Sequence, residues 1–317
     1  MGSVVPAASP ARDARVPQPR IAQRPLLALL IRLGAAATLS VMLLFVKLAT
    51  QAGVSLVETI FWRQLPTVPI LLLWFASQGR LRTLKSTRLK AHAGRSLTGL
   101  IGLTLNFAAV MLLPLAEFTT LNFTSAIWAV FLSALVLKEN VGPWRWGAVA
   151  LGFCGVLVIA QPGDGHLQLL GAAAALGAAF MIALISIQIR DLARTEHPLT
   201  IVFWFAAFSV LPLACAMPFL IEGYTARQVL LLAGVAGFGL VGQFLLTAAL
   251  RYGAVASVIV MDYSSLLWAT MLGWWVLDSL PPQSTWLGAP LIVGAGLLIA
   301  WREHRLAIER ARVAIGE

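Results

Sequence analysis

The chain has 317 residues, of which 59% are hydrophobic and only 11% charged, with a mean hydropathy of +0.86 and a formal charge of +10. Soluble globular domains are about 45–50% apolar and about 25% charged. The imbalance excludes a water-soluble enzyme, a disordered chain and a disulfide scaffold. It points to a polytopic membrane protein whose basic residues mark loop sidedness rather than a nucleic-acid surface.

In chain order, residues 1–24 are rich in Ala, Pro and Arg and read as a disordered basic cytoplasmic tail. The apolar run from Pro25 to about Thr50 exceeds the roughly 7–15 residues of a signal-peptide core, so it is expected to be a retained first span. At about 20 apolar residues per crossing, ten spans are predicted: 26–49, 55–75, 96–114, 116–136, 144–160, 168–189, 199–218, 228–247, 254–277 and 284–301. Residues 303–317 form a second cytoplasmic tail. Cys154 and Cys215 lie in apolar runs and are expected to be buried thiols acting as small hydrophobes.

Basic residues set the orientation. Nineteen Lys and Arg fall in the two tails and in the loops after spans two, four, six and eight. The alternate loops hold only Arg227, while Arg32, Lys47 and Arg63 lie within spans. Short loops rich in Lys and Arg stay cytoplasmic, which places both termini inside and requires an even number of spans.

The two halves repeat. Residues 123–137 align with 263–277 at an offset of 140, pairing Ser125 with Ser265, Trp128 with Trp268 and Asn122 with Asp262. Phe61-Trp62 aligns with Phe203-Trp204, and Asn106-Phe107 with Gln243-Phe244, at nearly the same offset. A five-span unit is odd, so its second copy enters the membrane inverted. Inverted repeats with a midplane site at their interface are a transporter architecture, though duplication kept only for packing is the competing explanation. The expected fold is therefore an all-α polytopic membrane protein with ten transmembrane helices as two inverted five-helix repeats, 25–161 and 168–302.

Several features resemble the EamA-type drug/metabolite transporters: the Trp62-Arg63 pair, the helix ends Leu137-Lys138-Glu139 and Leu277-Asp278, and the run from Gly288 to Glu303. The family usually carries Glu at the end of both fourth helices, whereas this chain has Asp278-Ser279 in the second half. The resemblance implies a secondary transporter in a bacterial inner membrane, more often an exporter. Its members move amino acids, amphipathic metabolites, metallophores, or vitamin- and nucleoside-type compounds such as riboflavin or S-adenosylmethionine. It implies no cofactor and no metal.

Ionisable groups within spans are costly and are functional candidates by default. Asp262, beside Tyr263, is the sharpest: it is either a substrate or proton-coupling group, or a carboxylate satisfied by a neighbouring helix. Lys47 and Glu58 flank the Gly53 turn at similar depth and are expected to pair. Arg63 either grips a carboxylate or phosphate of the solute or pairs with Glu58 or Glu117. Arg32 is expected to snorkel towards the cytoplasm. Asn106, Asn122 and Gln243 are candidate cavity amides or interhelical glue. Trp62, Trp128, Trp204 and Trp268 are candidates for an aromatic lining or for packing. Trp74, Trp144 and Trp301 read as interfacial belt residues. Pro66, Pro69, Pro212 and Pro218 are candidate kinks in mate-related spans.

The chain has no Walker motif, and His92, His166, His197 and His304 all lie in loops or at span ends. A membrane-embedded enzyme, which would need a nucleophile with its base or clustered metal ligands, is therefore the weaker alternative. The expected partners are a small-molecule solute, the bilayer and a proton as coupling ion, with no nucleic acid and a monomer or homodimer.

Overall fold

The computed structural model describes residues 25–135, 142–160, 168–220, 223–252 and 260–315. The tail 1–24, the Leu137-Lys138-Glu139 end and the first six residues of the ninth expected span lie outside the described residues. The described residues form α-helices joined by short turns, three of which are 3₁₀. The helices are α1 (Pro25–Gln51), α2 (Leu56–Gln64), α3 (Thr67–Ser77), α4 (Leu89–Leu112), α5 (Leu115–Asn122), α6 (Ser125–Leu135), α7 (Pro143–Ala160), α8 (Leu169–Leu192), α9 (Pro198–Ala216), α10 (Ala226–Tyr252), α11 (Ser264–Leu277) and α12 (Gln283–Ile315). Among the described residues, eight segments are long and apolar enough to cross a membrane, and a shorter apolar helix lies at Trp146–Ile159. The outer faces of the helices expose large apolar side chains, including Leu73, Leu170, Phe219 and Trp275, which requires a lipid environment.

The second expected span is divided into α2 and α3. Pro66 has no N–H and its ring crowds the carbonyl one turn back, so the chain turns there and resumes as α3. The fourth is divided at Phe123-Thr124. The Thr119, Thr120 and Thr124 hydroxyls donate to the Leu115, Ala116 and Leu121 carbonyls, a back-bonding pattern that bends helices. At the mate position in the second half the backbone is again irregular, a 3₁₀ turn over Val260–Tyr263 leading into α11. Asp278 closes α11 in the left-handed region at φ 50°, a conformation Asp tolerates better than most residues. The final helix runs on to Ile315, well past the expected end of its span.

The packing is two-fold in pattern. Helix α1 lies along α10 and α11, as its mate α8 lies along α4 and α6; α4 meets α9 as α10 meets α2. Two contacts map onto themselves: α7 with α12, and α2 with α9. At the α7–α12 crossing, a Cβ on Gly155 would stand 2.9 Å from the Gly288 carbonyl, and one on Gly288 would stand 2.7 Å from the Gly155 carbonyl. Paired glycines thus let the two backbones touch. Contrary to expectation, Cys154 and Cys215 are exposed on the apolar surface rather than buried. A thiol is small and apolar enough to face lipid at little cost, so an apolar run alone did not place it inside.

Candidate functional site

A cavity of about 460 Å³ lies between the two halves. It is lined from α1, α2, α4, α5 and the start of α6 in the first half and from α8, α9, α10, the Val260–Tyr263 turn and the start of α11 in the second. The size falls within the roughly 300–1,000 Å³ of small-molecule sites. The α7–α12 pair contributes no lining residue and acts as a packed support.

Five of the ten sequence candidates line this cavity: Arg63, Asn106, Asn122, Gln243 and Asp262. The mates Asn122 and Asp262 both stand where the helix is irregular, and Ser125 and Ser265, also mates, line the wall beside them. Non-helical backbone at membrane depth is tolerated where it faces such a cavity.

Asp262 is held by Arg32. The guanidinium Nε and Nη2 each donate to one carboxylate oxygen at 2.5 Å, a bidentate pair across 230 residues. Arg32 is 7% exposed and does not snorkel, because its counter-charge lies at its own depth on the facing turn. In the sequence these two residues stand nearly three-quarters of the chain apart.

The Lys47–Glu58 pair is also absent. Lys47 donates to the carbonyls of Val110 and Leu113, with Glu117 nearby. The Val110 carbonyl would ordinarily accept from residue 114, but Pro114 has no N–H, so Lys47 supplies the missing donor at the C-terminal end of α4. Glu58 instead closes a capping box with Ser55 at the start of α2.

Arg63 pairs with neither Glu58 nor Glu117. Its Nη1 donates to Gln64 Oε1 at 2.7 Å, its Nε has no partner, and its guanidinium lies 6.0 Å from the Phe107 ring centre. A second arginine, Arg95, was missed. It stood one residue outside the predicted third span and was counted with the cytoplasmic loop, but α4 begins at Leu89 and carries it into the cavity. Its guanidinium rests 4.2 Å from the Phe205 ring centre, and its Nε and Nη1 are buried without partners. The available signal was Gly99, four residues on: a Cβ there would collide with Arg95 Nη1 and stand 2.6 Å from the Phe205 ring.

The tryptophan lining is not formed. Trp128 packs edge-on against Phe131 and Phe180, and Trp268 lines no part of the cavity. Phe107, Phe118, Phe123 and Phe205 supply the rings instead. An indole carries an N–H that needs an acceptor, and two of the four find theirs at loops. Trp204 donates to the Leu84 carbonyl at 3.0 Å, and its mate Trp62 donates to the Tyr224 hydroxyl at 3.2 Å. Trp62 and Tyr224 border a separate apolar groove of about 490 Å³. Tyr263 turns away from the cavity, its ring 4.8 Å from Phe123 and its hydroxyl over Gly296.

The two mate tryptophans belong to two clasps. One joins the segment before α4 to the α8–α9 turn: Arg88 with Asp191, Ser86 donating to Glu196 at 2.5 Å, and Thr200 donating to Thr83 at 3.1 Å. The other joins the α1–α2 turn to the start of α10: Gln228 donates to the Ala52 carbonyl at 2.8 Å, and Tyr224 bonds Glu58 as well as Trp62. Burial pushes the Tyr224 hydroxyl above its ordinary pKa, against the opposing pull of the Trp62 N–H.

Comparison with known proteins agrees with this architecture. The sequence model of the EamA-like transporter family matches twice, at residues 26–161 and 169–301. A riboflavin transporter of Rhizobium johnstonii is 32% identical over 68% of this chain and 71% of its own length. A pseudopaline exporter of Pseudomonas aeruginosa is 27% identical, over 86% and 95%. An S-adenosylmethionine uptake transporter of Rickettsia felis is 26% identical, over 74% and 80%. One crystal structure shares the fold, with a TM-score of 0.56 at 18% identity, covering 89% of this chain and 99% of that one.

Proposed function

The chain belongs to the EamA-like transporter family, and from that premise we propose that it is a secondary transporter of a small organic metabolite, working by alternating access across a bacterial inner membrane. The observation that carries this is a polar-lined cavity to which both repeats contribute. In this reading ten spans run as two inverted copies with both termini cytoplasmic, an orientation supported by the basic loops. In that orientation the Arg88–Asp191 clasp faces the cytoplasm and the Tyr224–Trp62–Glu58 clasp faces outside. Rocking of the halves opens one clasp while the other holds. Asp262, locked to Arg32, is the candidate proton-coupling group.

Outward transport is the direction adopted, supported by the pseudopaline exporter, 95% of whose length is matched. Import of a vitamin- or nucleoside-type compound is the second reading, its direction favoured by the S-adenosylmethionine uptake transporter and its substrate class also by the riboflavin transporter at 32% identity. An embedded enzyme has no such support, since the family and the named relatives are transporters.

The test is a metabolite survey of cells with and without the protein. It is followed by flux in right-side-out and inverted vesicles, with and without a proton gradient. Gradient-dependent movement of one solute class is expected. No net movement under any gradient ends the reading.

A further inference from the structure

The cavity's charges are not balanced. Its one lining carboxylate, Asp262, is already neutralised by Arg32. Arg63 and Arg95 remain, and among the described residues neither forms an ion pair. Both line the same cavity, from α2 and α4, which pack against each other. Two like charges held together in a low-dielectric wall are unfavourable unless something negative completes them. The donors left open are Arg63 Nε together with Arg95 Nε and Nη1, all buried. They belong to guanidiniums, whose planar fork suits carboxylate or phosphate oxygens.

The rest of the wall sets the body of the ligand. Phe107 and Phe205 lie against the two guanidiniums, and Phe118 and Phe123 extend the apolar surface. Gly99 leaves the space in which Arg95 lies on Phe205.

We propose that this cavity takes an amphipathic organic anion: a ring-bearing body with two carboxylates, or one doubly charged phosphate, bridged by Arg63 and Arg95. The assignment rests on the transporter reading and names the substrate class for its site. A neutral or cationic solute leaves both arginines uncompensated and binds more weakly.

The experiment uses the full chain in lipid nanodiscs and two matched probe pairs. Riboflavin 5′-phosphate is set against riboflavin, and terephthalate against terephthalamide. Each pair keeps one ring system and removes the negative charge, by loss of the phosphoryl group in one pair and by exchange of carboxylates for neutral amides in the other. Binding is read by equilibrium titration at pH 7.5, where the phosphate is doubly charged. At least one acid is expected to bind and its neutral partner to bind about 10-fold or more weaker. Arg95→Gln and Arg63→Gln are each expected to weaken the acid by about 10- to 100-fold, as loss of a charged hydrogen-bonding partner does. Arg95→Lys, which keeps the charge and guards against misfolding, is expected to recover only part of that loss.

Binding of neither acid, preference for a neutral partner, or wild-type affinity in both Gln variants overturns the assignment. Vesicle flux is read independently. Transport of a neutral solute without acid binding ends this inference and leaves the transporter reading standing. Acid binding without transport of any solute does the reverse.

Discussion

Replacing Asp262 by Asn tests whether the Arg32–Asp262 pair fastens α1 to the irregular turn before α11. Two bonds of 2.5 Å put the charge centres about 4 Å apart, worth about 4 kcal/mol of attraction at an effective dielectric of about 20. Asp262 is 39% exposed on its side chain and Arg32 only 9%, so water screens one partner and desolvation offsets part of the gain. A coupling of about 2 kcal/mol remains, within the range of about 0.5–3 kcal/mol for residues in contact. Asp262→Asn leaves a buried guanidinium with no counter-charge and is expected to unfold at distinctly lower temperature. Arg32→Gln leaves a half-exposed carboxylate and costs less. The double variant should recover most of the loss. The assay is a double-mutant cycle on the purified protein, read by intrinsic tryptophan fluorescence during thermal unfolding, with vesicle transport measured for each member. Additive effects, with coupling below about 0.5 kcal/mol, would refute the fastening argument. If the double variant is stable yet has lost the pH dependence of transport, the carboxylate is also the coupling group. A stable, fully pH-dependent double variant removes that role.

Gly99→Ala places a methyl group against Arg95 Nη1 and the Phe205 ring, so flux should fall several-fold while insertion and yield stay normal. Unchanged flux would mean that Arg95 need not rest on Phe205. Gly155→Val overpacks the α7–α12 crossing, where the Gly288 carbonyl is already within 2.9 Å of an added Cβ. A loss of about 1–3 kcal/mol is expected as a lower unfolding temperature, with no change in ligand preference. Tyr224→Phe removes the acceptor of Trp62 and the donor to Glu58 in one clasp, at about 1 kcal/mol of local stability. A cysteine placed in the α1–α2 turn should become more reactive to a membrane-impermeant thiol reagent, and equal labelling would count against a clasp there. Arg88→Ala breaks a partly exposed pair worth about 0.2–1 kcal/mol, so the unfolding temperature should barely move while the rate of exchange across the membrane changes.

The sequence alone determined the solvent, the class and the repeat. These are one-dimensional properties: apolar run length sets where a chain can cross a bilayer, and the Lys and Arg bias marks loops without reference to any contact. The correspondence of Asn122 with Asp262 was also legible, since a constant offset survives in the string even though the two residues reach one cavity only in the fold. Which polar groups answer each other was decided by the tertiary structure. Arg32 finds Asp262 because α1 packs along α11, a contact that local spacing cannot encode. Lys47 turns to the carbonyl orphaned by Pro114 rather than to Glu58, because an unsatisfied backbone oxygen in the interior competes with a carboxylate already capped by its own helix. Trp62 and Trp204 left the expected lining for loop acceptors, and phenylalanines, which have no N–H to satisfy, took the wall. Arg95 moved from a loop to the cavity because a helix start seven residues earlier than predicted carried a cation inward, and apolar run length is blind to a charge that one glycine makes room for.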